Sequence, residues 1–452
     1  MEFTLKTDLQ RSYDVVVVGG GTAGVMAAIA SARTGAKTAI VESKGYVGGT
    51  ITEGGCGIHS FFNVWKAFEG VEKRKVVRGI PSEFIDRLTE LGGASGHNEV
   101  LKGYDYDSDA LFVDVEKYKY LALVMLEEAG VDILVNTTLV DTITKDAVIQ
   151  KIITVSHQGT EIISAKMFID STGYGDLAAR SGAEFTEPND HTVANTVGIA
   201  GIDIDEYYKK FAEKDCIKEY ARGKRSGKDN QIIRVDVNWN KYDPKLWDEM
   251  REMGLQGVVT TMYDNYFMFM KVNTKMPKSP TDRDCLAETE VELRKRQMNA
   301  IEFVKKHIPK SENAFITRSC PSMLIRRARC IVCEHDISND EICNATHFED
   351  DIFSYSFHDC APRFIVKDGG TYGFPYRAIL PKNNKNLFTI GMMITSDWNA
   401  HMSTRNTVSC MAQGQGAGTA AALCAIKNIT NTRNLPYQTL RAKLESDNVY
   451  FG

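Results

Sequence analysis

β-Branched runs alternate with alanine-rich stretches at the start of this chain, and glycines bound both. Tyr13-Asp14-Val15-Val16-Val17-Val18 ends in a continuous apolar run, as a central parallel strand buried on both faces requires. Gly19-Gly20-Gly21-Thr22-Ala23-Gly24 follows. Val25 to Arg33 is rich in alanine and free of breakers, which predicts a helix, and Gly35 is placed to cap it. Lys37 to Val41 predicts a second strand, ending at Glu42. Further along, Glu116 to Ala129 has amphipathic helical spacing and stops at Gly130, and Val131 to Val135 predicts a strand. Residues 139–169 hold several β-rich runs about a turn at Gln158-Gly159-Thr160. Lys166 to Asp170 is a strand that runs into Thr172-Gly173.

From about Pro188 the texture changes. Tyrosine, lysine and aspartate become frequent, and strands alternate with polar helices; Glu288 to His307 is a strongly charged helix stopped by Pro309. From about Tyr372 the first texture returns. Asn386 to Gly391 is an apolar strand, and Ser409 to Ile426 is a small-residue helix containing Gly414, Gly416 and Gly418. The pattern predicts an α/β protein with a parallel-sheet domain that is discontinuous in sequence, over residues 1–187 and 372–452. An inserted α+β cap or substrate domain is expected over residues 188–371.

Composition narrows the partners. The 452 residues are 43% hydrophobic and 25% charged, enough for two substantial cores. No apolar run is long enough to span a bilayer, and Met1 to Gln10 lacks a basic start and an apolar stretch, so a cytoplasmic protein without membrane partners is expected. A net charge of −5 argues against a general nucleic-acid binder, and Arg222, Lys224, Arg225 and Lys228 read as a solvated loop. The 10 cysteines are dispersed, as in reduced cytosolic proteins. Cys330 and Cys333 stand three apart on a predicted strand and so face opposite ways, and no metal site is expected.

Gly19, Gly21 and Gly24 fit the G-x-G-x-x-G fingerprint, and here the pattern sits between a buried strand and a helix, the context it needs. The first glycine permits the tight turn, the second lets backbone approach a pyrophosphate, and the third lets helix pack on sheet. Thr22 and Ala23 open the helix, whose free N–H groups and positive dipole end favour phosphate. Glu42 ends the next strand, where a carboxylate accepts hydrogen bonds from ribose hydroxyls and repels a 2′-phosphate. Ser43 and Lys44 follow it, and then a second glycine cluster, Gly45-Tyr46-Val47-Gly48-Gly49-Thr50. A second cluster so soon fits a cofactor with a longer reach than NAD.

The whole run resembles the Rossmann-type FAD-dependent oxidoreductases, of glutathione-reductase-like nucleotide fold, in which the second loop covers the pyrophosphate. Asp170, Thr172 and Gly173 resemble that group's second FAD motif, and Asn386 to Gly391 its late strand, with Met392 where an acidic residue is common. Arg78-Gly79-Ile80-Pro81, Ile325-Arg326-Arg327-Ala328-Arg329, Phe374-Pro375-Tyr376-Arg377 and Gly414-Gln415-Gly416-Ala417-Gly418 resemble segments of the bacterial FAD-dependent oxidoreductases, which carry glutamate in place of Arg327. The resemblance implies FAD held by Gly19, Gly21, Thr22, Ala23, Gly24, Glu42, Ser43, Lys44, Gly48, Gly49, Thr50, Val140, Asp170, Thr172, Gly173 and Gly391.

Only one nucleotide fingerprint has strand–helix context, so no separate NAD(P)H domain is expected. Electrons then pass directly between flavin and a small organic substrate, and a separate carrier completes the cycle. The segment from Arg405 into the Ser409 helix is the candidate to stabilise charge on the flavin, with the three glycines letting that helix lie close to the cofactor. His401 and Arg405 are the first candidates for proton transfer and acid binding, by their placement relative to fumarate-reductase-like flavoproteins. His358 beside Asp359, and Tyr376, are candidates for the substrate side. His59 is placed to reach the far edge of the ring. An enoate reductase of the fumarate-reductase type, or a flavin-binding subunit of an electron-transfer complex, are the alternatives.

Overall fold

The computed structural model describes residues 7, 9–55, 57, 63–64, 74–102, 109–361 and 363–452; His59 lies outside them. The Leu9–Val18 strand forms the middle of a mixed sheet. Val15 to Val18 are all buried, because parallel partners flank them on both sides: Thr38–Val41 on one and Gly159–Asp170 on the other. Asp132–Leu134 extends the sheet beyond Thr38–Val41, and Leu387–Thr389 pairs with the end of Gly159–Asp170. All five of these strands are parallel.

Their registers place the functional edge. Val18 stands level with Val41 and with Asp170, and Asp170 stands level with Thr389. Gly19, Glu42, Ser171 and Ile390 therefore leave the sheet side by side, at the carboxyl edge where open α/β sheets bind ligands. The antiparallel hairpin Val148–Ser156/Gly159–Asp170 turns at Gly159, with φ +121°, as expected of the Gln158-Gly159 turn. Thr138–Lys145 adds an outer strand to it.

Two helices lie against the parallel strands and each other. Thr22–Arg33 is buried from Thr22 to Ser31, and Thr407–Ile426 is buried along nearly its whole length. Their contact explains the late glycines. A Cβ at Gly414 would sit 2.2 Å from the Ala23 carbonyl oxygen, and one at Gly418 would sit 2.1 Å from that of Ala27. A Cβ at Gly416 would meet the Ile352 side chain at 2.8 Å. This corrects the reading that these glycines bring the helix to the cofactor: they bring it to another helix and to the Asp351–Tyr355 strand.

The second unit is an antiparallel sheet. Its strands run in the order Phe315–Ser319, Val193–Ala200, Tyr266–Thr274, Val258–Thr260, Lys228–Val237, Ile217–Arg225, Asn98–Lys102 and Asp109–Ala110. Ile204–Ala212 and Arg283–His307 cover it, and Tyr207, Phe211, Trp239, Phe267 and Phe303 form an edge-to-face aromatic core between them. The long helix starts at Arg283, ahead of the Glu288 expected from the sequence, because the Asp282 side chain accepts from the Cys285 N–H and caps it. The chain also crosses between the units more often than a single insertion requires. Asn98–Lys102 and Asp109–Ala110 join the cap sheet ahead of residue 188, and Ile331, Ile342, Ile352 and Phe353 pack in the core of the parallel sheet ahead of Tyr372.

The helix–helix contact gives a direct test. Gly418→Val is expected to lower stability by about 3 kcal/mol or more, since backbone on the neighbouring helix cannot move aside. Thermal and urea denaturation read the loss, and Ala421→Gly on the same helix, which adds no atoms at the contact, is expected to cost only about 1 kcal/mol.

Candidate functional site

A cavity of about 1230 Å³ opens along the carboxyl edge of the parallel sheet. That exceeds the roughly 300–1,000 Å³ of ordinary small-molecule pockets, so it has room for more than one small ligand. At one end it is lined by Gly19, Gly21, Thr22, Ala23, Glu42, Ser43, Lys44, Gly49 and Thr50. The turn there is built without side chains. Gly19 has φ +100°, and a Cβ on it would lie 2.4 Å from the Ser171 carbonyl oxygen. A Cβ on Gly24 would lie 2.0 Å from the Gly19 carbonyl oxygen, so Gly24 serves the packing and does not line the cavity. Gly21 differs from both: a Cβ there would meet only the Ser171 oxygen, at 3.6 Å, and would otherwise fill open cavity.

Glu42 organises the loops around this turn. Its Oε2 accepts from the Gly20 N–H at 2.7 Å, and its Oε1 accepts from the Lys44 N–H at 2.8 Å and the Ser43 hydroxyl at 3.0 Å. Gly48 stands behind the cavity wall. Its N–H donates to the Gly20 carbonyl at 2.7 Å, and its own carbonyl accepts from the Thr22 hydroxyl at 3.1 Å.

Asp170 is also structural. It is wholly buried; its Oδ1 accepts from the Thr172 N–H and hydroxyl, and its Oδ2 from the Ala178 N–H. Burial raises its pKa to about 6, against the pull of those donors. It holds the loop in which Thr172 and Gly173 line the cavity. Val140 does not line it. The residues that do are Thr137, Thr138 and Leu139, and a register shift between Leu139 and Asp141 turns Val140 outward, 41% exposed.

Gly391, Met392, Trp398, Met402, Arg405, Asn406 and Thr407 line the same cavity farther along. Asn406 is the N-cap of the Thr407–Ile426 helix, yet its side chain donates backward to the Met402 and Ser403 carbonyls and caps nothing. The first N–H groups and positive dipole end of that helix therefore lie beside the cavity without a side-chain acceptor from Asn406.

The four residues first considered for chemistry fall into different places. Arg405 lines the cavity and pairs with Asp359, which lines it too. His401 is wholly buried outside it, and its Nε2 donates to the Met392 carbonyl at 2.9 Å. His358 is buried with both ring nitrogens engaged: Nε2 donates to Asn339 Oδ1 at 2.9 Å and Nδ1 accepts from the Cys360 N–H at 3.0 Å. Tyr376 is buried against Phe388 and donates to the Thr432 carbonyl at 2.9 Å. None of these last three borders the cavity, so packing and hydrogen bonding account for them without chemistry.

His191 was not singled out by sequence, and it does line the cavity. Its side chain is 7% exposed, stacked on Trp398 with centroids 5.6 Å apart and 5.2 Å from the His401 ring. Burial, then the charges of Arg405, Arg327 and Arg326, push its pKa down to about 3. Arg327 clamps the loops on either side. It pairs with Asp190 at 2.9 Å and donates to the Thr395 and Ser396 carbonyls at 2.9 and 2.6 Å. Thr395 has φ +81°, a strained conformation for a β-branched residue that these contacts hold in place.

The cap contributes a charged wall: Lys218 with Asp236 at 3.0 Å, the buried pair Glu219–Arg234, and Lys271. Sequence carried one sign of it. Glu219 occupies an inward position in the alternating Ile217–Arg225 strand, where an apolar residue is the ordinary occupant. Among the described residues no group of three or more His, Cys, Asp or Glu could hold a metal ion, and no helix is long and apolar enough to cross a membrane.

Known proteins give this geometry a family. Residues 14–444 match the FAD dependent oxidoreductase family, and the chain belongs to it. It is an FAD-dependent oxidoreductase with a Rossmann-type α/β fold. Over 226 residues it is 26% identical to digeranylgeranylglycerophospholipid reductase 2 of Methanothermobacter thermautotrophicus, a stretch covering 47% of this chain and 54% of that protein. Over 175 residues it is 33% identical to thiamine thiazole synthase of Pyrococcus abyssi, covering 37% of this chain and 60% of that one. The matched stretch thus spans about half the length of the first of these relatives. A geranylgeranyl bacteriochlorophyll reductase-like protein from Thermoplasma acidophilum superposes with a TM-score of 0.50 at 12% identity, covering 97% of this chain and 84% of that one, and shares the fold.

The residues present fit FAD. Gly21 leaves open the space a Cβ would take, Glu42 ends its strand at the cavity, and the volume accommodates a dinucleotide. The glycines separate two effects that the fingerprint merges. Gly21→Ala is expected to fold as wild type and to bind FAD at least tenfold more weakly by fluorescence titration. Gly19→Ala is expected to lose stability itself, by about 1–3 kcal/mol.

The buried histidines also set a pH dependence. Burial holds the pKa of His401 well below its ordinary value and brings that of His358 down to about 4. At these two sites the unfolded chain binds protons that the folded chain refuses, so their contribution to stability is lost as pH drops below about 6.5, while the raised carboxyl of Asp170 acts in the opposite sense below about pH 6. Each histidine adds about 1.4 kcal/mol per pH unit to that slope down to its folded pKa. Between pH 7 and pH 5 the urea midpoint of a His401→Gln variant is expected to fall less, or rise more, than that of the wild type.

Proposed function

We propose that the protein transfers a hydride between the flavin of FAD and a small polar organic substrate held between the parallel sheet and the cap, with a separate carrier exchanging electrons with the flavin. The observation that carries this reading is the single cavity that runs from the fingerprint turn and Glu42 to Arg405, His191 and the cap wall. A dinucleotide seated on the turn would extend along this cavity toward Gly391 and Arg405.

In this reading Gly19, Gly21, Thr22 and Ala23 bring backbone N–H groups and the helix dipole to the pyrophosphate. Glu42, Ser43, Lys44, Gly49 and Thr50 hold the adenosine side, and Thr172, Gly173 and Gly391 border the path to the ring. FAD supplies the hydride acceptor or donor when bound. The protein supplies orientation, exclusion of water and charge stabilisation, the last from the start of the Thr407–Ile426 helix. Arg405 and Asp359 form an ion pair on the substrate side, fixing each other's geometry and leaving the pair able to hydrogen-bond a polar ligand.

One feature favours a polar substrate over a long apolar one such as the name of the first relative suggests. The cap wall carries Lys218, Glu219, Arg234, Asp236 and Lys271, and burying apolar chain against those groups would cost their hydration. His401 does not favour the fumarate-reductase-type alternative, because its ring lies behind Met392 and not in the cavity.

Anaerobic mixing with a panel of polar alcohols, amines and enoates tests the reading. Bleaching of the visible flavin spectrum by an alcohol or amine is expected, with colour restored by an added quinone or one-electron carrier. Reoxidation of the pre-reduced protein by enoates, with no bleaching by any alcohol or amine, would replace dehydrogenation by enoate reduction.

A further inference from the structure

We propose that His191 is the catalytic base of this site, taking the hydroxyl proton of a polar alcohol as hydride leaves the carbinol carbon for the flavin. The inference rests on the function proposed above and adds to it the proton acceptor and the substrate class.

The assignment comes from asking which group bordering the cavity can accept a proton at neutral pH. Lys44, Lys218, Lys271, Arg234, Arg326 and Arg405 are cations and have no lone pair to offer. Asp190 is held by Arg327, Asp359 by Arg405, Asp236 by Lys218, Glu219 by Arg234, Asp176 by Arg329 and Glu53 by Lys44, so each of these carboxylates is already engaged. Burial lifts the Cys410 thiol to about 12, which keeps it protonated. Glu42 is committed to three donors of the nucleotide loops. His191 is the histidine among the described residues that line the cavity.

Its setting suits the role. The ring is held by stacking on Trp398 and by the tilted ring of His401, so little rotamer entropy remains to be lost on binding substrate. Its Nε2 is buried, has no hydrogen-bond partner and stands 3.8 Å from Asp190 Oδ1. A small rotation would let Nε2–H donate to that carboxylate, which Arg327 holds in place, and would leave the Nδ1 lone pair for the substrate. The charged and titratable groups facing the ring are Asp190 on its own loop, Arg326 and Arg327 from the segment before Cys330, and His401 and Arg405 from the Trp398–Thr404 helix and its end. Burial first, and then the three guanidinium groups, keep the imidazole neutral, the form a base requires. The Asp190 carboxylate, once it accepts from Nε2–H, offsets that push by stabilising the imidazolium as it forms.

The step balances without any further reagent. The substrate H–C–O–H loses its carbon-bound hydrogen with both electrons to the flavin and its hydroxyl proton to His191, and it becomes C=O. The imidazolium returns the proton to solvent, and the separate carrier takes the electrons. The charged cap wall marks the fitting alcohol as hydroxyl-rich, such as a polyol or sugar.

The test uses the FAD-loaded protein, anaerobic stopped flow, and a panel of glycerol, sorbitol, myo-inositol, glucose and galactose, with geraniol as an apolar comparison. Bleaching of the wild type by at least one polar member is expected. With that member, His191→Gln is expected to slow bleaching at least a hundredfold, with unchanged FAD affinity and melting temperature, and added imidazole is expected to restore at least a tenth of the rate. In histidine-labelled apoprotein the ¹⁵N shifts of His191 are expected to report a neutral ring from pH 8 to pH 5. If none of the polar alcohols bleaches the wild type, dehydrogenation of such alcohols is wrong, and the proposal falls with it. If the wild type bleaches and His191→Gln keeps its rate within threefold, His191 is not the base while the oxidation itself stands. A His191 ring that titrates near pH 6.5 would contradict its buried, cation-flanked setting.

Discussion

A side chain at Gly19 would place its Cβ 2.4 Å from the Ser171 carbonyl oxygen, and one at Gly24 would come within 2.0 Å of the Gly19 oxygen. These close approaches hold three things together. They let the Leu9–Val18 strand turn directly into the Thr22–Arg33 helix. They bring the end of the Gly159–Asp170 strand against that turn, where the Ser171 N–H donates to the Val18 carbonyl at 2.8 Å. They also leave Gly21 as the one glycine of the three whose missing side chain opens onto the cavity. Asp170 then anchors the next loop from beneath, and Glu42 ties the second glycine loop to the first. The cofactor end of the cavity is thus largely a matter of backbone meeting backbone.

That is why so much of this end was legible in the sequence. A glycine at a fixed offset from a β-branched run has few explanations other than a turn that cannot carry a Cβ. The acid at Glu42 follows from the next strand ending level with the first. Glycine spacing alone could not say what each glycine touches. Gly414 and Gly418 look the same in sequence whether they approach a cofactor or a helix, and the structure sends them to Ala23 and Ala27. Val140 lies outside the cavity lining for a related reason: a bulge in the outer hairpin changes which residues face inward, and no local pattern announced it.

The chemistry was far less legible. His401, His358 and Tyr376 stand close in sequence to recognisable motifs, but burial and hydrogen bonding turn all three into parts of the framework. His191 belongs to no motif. It borders the cavity beside Asp190, which Arg327 clamps to the strained turn at Thr395. Side chains from the cap, the Cys330 segment and the Trp398–Thr404 helix meet there across distances in sequence that periodicity does not register. The hint that was present, a glutamate on the inward phase of the Ile217–Arg225 strand, marks the charged wall of the cavity.

The account rests on one spatial claim: that the cavity is a continuous path from a nucleotide turn at Gly21 to a redox corner at His191 and Arg405. A crystal structure of the FAD-loaded protein tests it most directly. The account predicts the pyrophosphate over Gly21 and the start of the Thr22–Arg33 helix, the adenosine ribose at Glu42, and the flavin ring bordered by Gly391 and the start of the Thr407–Ile426 helix with His191 facing its open side. A ring turned away from His191 and Arg405, or seated against the Lys218–Arg234 wall, would contradict it.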